Sequence, residues 1–153
     1  MNRKEKLRQD IQCVEFYLLD IYGVTIDFDE KGLNEYWFDP DNPEDAGVIS
    51  IDSTMDVLDQ LYVVLHEAGH VILRRSEDFN KVFPDSNRST LSGRIEILRE
   101  EVEAWNKAEE LITKFGISYG EYFDIERWKA NYRSALSKYA KWVESGDEND
   151  TSE

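Results

Sequence analysis

The sequence holds a single cysteine, Cys13, among its 153 residues. That excludes an internal disulfide and any zinc site built from several thiolates. It fits a reducing compartment. Histidine is nearly as scarce, with His66 and His70 alone. Bases are few against acids, 18 to 33, which leaves a formal net charge of −15. A chain so negative repels nucleic acid and anionic membrane, so direct nucleic-acid binding is not expected. Basic proteins are the partners it attracts, although the same charge also serves solubility alone. No apolar run approaches the length of a membrane span. The polar opening, Met1 to Arg8, leads into no apolar core of a secretory signal. The expected location is cytoplasmic.

What is present is core material. Hydrophobic residues make up 41% and aromatics 12%, with four Trp, eight Tyr and seven Phe. A chain of this length can bury a core without staples, and one domain over residues 1–145 is expected. Residues 146–153 read as an acidic, disordered tail. There is no internal repeat and no linker. Charge is distributed unevenly. Asp27 to Asp59 carries eleven acids and one base, Lys31. From Leu73 to Arg99 six bases outnumber four acids, a stretch that can steer an acidic part of a partner or simply balance the acidic half.

Periodicity gives an α+β order of elements. Leu7, Ile11, Val14, Leu18 and Ile21 recur at helical spacing and predict an amphipathic helix from Arg3 to Tyr22, stopped by Gly23. Cys13 lies beside that stripe and reads as packing. Val24–Phe28, Leu33–Phe38 and Gly47–Asp52 predict three strands. Their short connections argue for a mostly antiparallel sheet. Ser53 or Thr54 can cap the next helix, which runs to about Arg75 and is apolar on most faces, as central helices are. Residues 76–91 read as a loop. A long helix, capped by Ser92, is expected from Gly93 to Phe115 and another from Asp124 to Glu144. The inner face of the last is expected to hold Trp128, Tyr132, Ala135, Leu136, Tyr139 and Val143.

Chemistry concentrates in His66-Glu67-Ala68-Gly69-His70. Two histidines four residues apart share a helix face about one turn apart, so both can ligate one zinc ion. Glu67, next to the first, stands where a carboxylate can act as general base toward an activated water. Gly69 costs a helix interior roughly 1 kcal/mol relative to Ala, so close approach of another segment should be what requires it. Two histidines leave zinc short of a third protein ligand, and the chain can supply only a carboxylate. On the helix that follows, Glu101 borders the apolar face between Leu98 and Trp105. Glu100, near Ile97 and Ala104, is the second choice. Glu103 points with Arg99 and Asn106 toward solvent. For an oxyanion stabiliser, Tyr62 reads mainly as packing, while Tyr119, Tyr122 and Tyr132 stay open. The Val48–Ile51 strand is a candidate edge for an extended peptide.

This order, with His-Glu-x-x-His on one helix and Glu101-Val102-Glu103-Ala104 on a later one, resembles the ImmA/IrrE family of zinc metallopeptidases. The Glu-x-x-Ala register favours Glu101 as the third ligand. The family often has Asn or Asp after that Ala, where this chain has Trp105, so the resemblance is to a divergent branch. It spans roughly residues 5–115. It implies Zn2+ held by His66, His70 and Glu101, Glu67 as catalytic base, and a protein substrate of the regulatory or repressor kind. A second reading, of another class, is an acidic binding module. It would be an inhibitor or antidefence factor with a structural or vestigial zinc site.

Overall fold

The computed structural model describes residues 1–117 and 120–151. The predicted stripe forms helix α1 (Arg3–Tyr22), with Leu7, Ile11, Val14 and Leu18 buried and Gly23 in the left-handed conformation at its end. Asn2 and Glu5 close a reciprocal capping box at its start. Two expectations fail here. Ile21 is exposed, and Tyr22 packs against the core in its place. Cys13 is exposed as well, because it stands about 100° around the helix from Val14.

Three strands follow, β1 (Thr25–Asp29), β2 (Glu35–Trp37) and β3 (Val48–Asp52), in the order β1-β3-β2. The sheet is mixed, not mostly antiparallel. β1 pairs parallel to β3, and β2 pairs antiparallel to it. β2 lies beyond β3, so residues 30–47 supply the length that a parallel return requires. Ile26, Ile49 and Tyr36 are paired across the three strands and so share one face, toward the helices. Ile49 and Ile51 are fully buried. β3 is therefore central, and the edge strands are β1 and β2.

Helix α2 (Val57–Arg74) is buried along most of its length and lies between α1 and α4. Its cap is Asp56, whose side chain accepts from the Leu58 N–H. Neither Ser53 nor Thr54 fills that position, since both belong to the preceding turn, where Thr54 donates to Asp52. The expected loop contains a short helix, α3 (Phe79–Val82). Thr90, not Ser92, caps α4 (Leu91–Lys114). Helix α5 (Ile125–Ser145) packs against α4 with Trp128 buried. Trp142 is buried more deeply than Val143. The chain then makes a 3-10 turn (Glu148–Thr151), where Glu148 accepts from Arg88 at 2.6 Å.

The crossing of α2 over α4 is the main helix contact and builds the site. A Cβ at Gly69 would overlap the carbonyl of Ala104. The backbones thus meet where the only side chain missing from the middle of α2 lets them.

Candidate metal centre

His66, His70 and Arg74 follow one another at four-residue steps along α2, facing α4. From α4, Glu101 inserts its carboxylate between the two imidazoles. Its Oε1 is 2.6 Å from His66 Nε2 and its Oε2 is 3.0 Å from His70 Nε2. One donor atom from each of the three residues lies within 4.8 Å of the others. Two imidazole nitrogens and one carboxylate oxygen form the donor set that suits zinc and leaves a coordination position for a further ligand. The fit is supported by an orphan. His66 Nε2 is buried and makes no hydrogen bond, although a carboxylate oxygen stands beside it. A buried polar atom so placed needs a partner, and a cation bound by both the nitrogen and the carboxylate would supply one.

Electrostatics agree with that geometry. Burial opposes ionisation of Glu101, yet the two imidazoles hold its carboxyl well below the ordinary range. Burial likewise opposes a charged His70, but Glu100 and Glu101 outweigh it and push the imidazole up to about 10.

Glu67 points toward the sheet. It is buried, and its Oε2 accepts from the backbone N–H of Tyr36 on β2 at 3.0 Å. Burial pushes its carboxyl upward, against the pull of His66 and His70. The edge strand thus tethers this carboxylate beside the histidines.

Trp105 stacks on His66, with ring centroids 4.0 Å apart and planes within 10°. It in turn packs edge-on against Trp128 of α5. Trp105 therefore holds His66 by ring contact. Glu100 contributes no oxygen to the three convergent donors and lies instead on the Nδ1 side of His70, at 3.6 Å. It pairs with Arg74 through distances of 3.0 and 3.3 Å.

His66, Glu67, His70, Glu101, Glu100 and Arg74 line a cleft of about 560 Å³ between β2 and α5, with Trp37, Phe38, Lys138 and Tyr139 on its walls. The strand beside it is β2. Val48–Ile51 belongs to the central strand and offers no free edge, which corrects its reading as a docking edge. Tyr62 donates to the Asp124 carbonyl and packs on Phe123 and Trp128, away from the cleft. Tyr132 contacts Trp105, and neither it nor Tyr122 lines the cleft. Tyr119 lies outside the described residues. Sequence reasoning placed Tyr139 on the inner face of the last helix but did not foresee its place on the cleft wall. It also missed Arg74, which the four-residue spacing from His70 could have revealed. Three of the six bases after the motif are paired within the chain, Arg74 with Glu100, Arg88 with Glu148 and Arg99 with Glu96.

Among the described residues, no helix is long and apolar enough to cross a membrane. Comparison of the chain with protein-family models, curated proteins and solved structures finds no match.

Proposed function

We propose that this protein is a zinc-dependent peptidase that hydrolyses a peptide bond in a protein substrate. The observation that carries the reading is the convergence of His66, His70 and Glu101 on one point of an open cleft, with Glu67 beside them. When bound there, a zinc ion would polarise a substrate carbonyl and make water acidic enough to ionise near neutral pH. Glu67 takes the proton of the attacking water and delivers it to the departing amine. Its raised proton affinity suits both halves of that task. The Tyr36 N–H keeps the carboxylate oriented. The outer edge of β2 borders the cleft, where an extended segment can add as a strand and Trp37 can contact its side chains.

The family resemblance supports a regulatory or repressor protein as substrate. The net charge of −15 favours a basic one. The competing reading keeps the metal but not the chemistry, as an acidic binding module. Metal content and cleavage of an unstructured peptide library separate the two. The expected result is about one zinc per chain, lost in His66→Ala and Glu101→Ala. Cleavage should be present in the wild type and absent in a Glu67→Gln protein that still holds its metal. Zinc without cleavage, with Glu67→Gln fully active in the cell, would favour the binding module. No metal uptake at all would remove the mechanism.

A further inference from the structure

A metal-binding imidazole has a second nitrogen, and its partner decides how well the ring serves. His70 turns Nε2 to Glu101 at 3.0 Å, and its Nδ1 faces Oε1 of Glu100 at 3.6 Å. Glu100 is 7% exposed, unusually low for a glutamate. Arg74 grips both of its oxygens, at 3.0 and 3.3 Å. The guanidinium itself lies 5.5 Å from the centre of the Phe38 ring and 5.2 Å from that of Phe79. Arg74 follows His70 by one turn of α2, and Glu100 immediately precedes Glu101 on α4. Consecutive residues of one helix therefore present one carboxylate to each nitrogen of the same imidazole.

We propose that Glu100, clamped by Arg74, is the positioning residue for His70. Resting on the metal-site reading above, this assigns Glu100 a role distinct from ligation. It accepts the Nδ1 proton, which leaves the Nε2 lone pair directed at the ion. It also fixes the ring plane and strengthens the donor. The 3.6 Å separation is longer than a hydrogen bond, and a small turn of the ring upon loading closes it. Arg74 holds Glu100 in place through its two hydrogen bonds. A purely structural ion pair would need only Arg74 and Glu100.

The test is zinc affinity of the full chain, measured by competition with a chromophoric chelator. The unfolding midpoint of each metal-free variant is recorded alongside. Glu100→Gln should still bind one ion but about 10- to 100-fold more weakly, the usual effect of losing such a partner. Arg74→Met removes the ion pair yet leaves the carboxylate opposite His70, so its loss of affinity should be smaller than that of Glu100→Gln. Equal affinity of Glu100→Gln and wild type would overturn the positioning role while leaving the metal site standing. So would equal losses in the two variants, which is what a structural pair predicts. Abolished binding in Glu100→Gln, matching Glu101→Gln, would make Glu100 a ligand and also overturn it. A wild type that takes up no zinc would overturn the metal site itself and the positioning role with it.

Discussion

Replacing Gly69 by Ala sets two effects of opposite sign against each other. In an isolated helix the change would stabilise by about 1 kcal/mol, because Ala restricts the unfolded chain and favours the helix. Here the added methyl would overlap the backbone carbonyl of Ala104. A carbonyl on a helix cannot swing aside as a side chain can, so α2 and α4 must separate. Overpacking of this kind costs about 1–3 kcal/mol, and a backbone obstacle belongs to the upper part of that range. The net expectation is a loss of about 1–2 kcal/mol, or roughly 2–8 °C in Tm for a chain of this size. Glu101 stands one turn before Ala104 on the displaced helix, so zinc affinity should fall by about tenfold or more as well. Thermal unfolding of the metal-free protein and chelator competition give the two readings. A Gly69→Ala protein with unchanged or higher Tm would show that the helix backbones do not meet there, and the account of the crossing would be wrong.

Trp105→Ala removes a buried ring from between His66 and Trp128. It should cost about 3–5 kcal/mol in urea unfolding, and a loss under about 1 kcal/mol would contradict the stacked arrangement. pH should act on the metal-free protein through His70, whose imidazole is raised from 6.5 to about 10. A raised group contributes its full stabilisation below the unfolded value and loses it as pH rises through the folded one. Stability should therefore drain between about pH 6.5 and 10. Saturating zinc should flatten that slope, because the ion replaces the proton on Nε2. A metal-free wild type with no more slope over this range than His70→Ala would count against the paired imidazole.

The sequence displayed what depends on local spacing. Two histidines one turn apart must share a face, and a glycine within a well-formed helix needs a reason, which proved to be the Ala104 carbonyl. Caps were less legible. Ser53, Thr54 and Asp56 are all competent, and only the turn after β3 decides which side chain reaches a free N–H. Strand pairing was not legible at all. Nothing in residues 25–52 says that β2 passes over to the far side of β3, because that choice is made by burial against α2. For the same reason Glu100 and Glu101 could be ranked from their helix face, but their division between Arg74 and the histidines requires the facing helix.

The three donors come from two helices with residues 75–90 between them. A chain with one cysteine has no covalent staple across that stretch. Under the proposed reading the ion becomes a reversible crosslink, fastening α2 to α4 in the folded chain alone. At a free concentration a thousandfold above its Kd it would add about 4 kcal/mol to stability. The abundance of the protein would then follow metal supply. A cell short of zinc would lose the folded chain to its proteases as well as the reaction, and restoring the ion would recover only what had not been degraded.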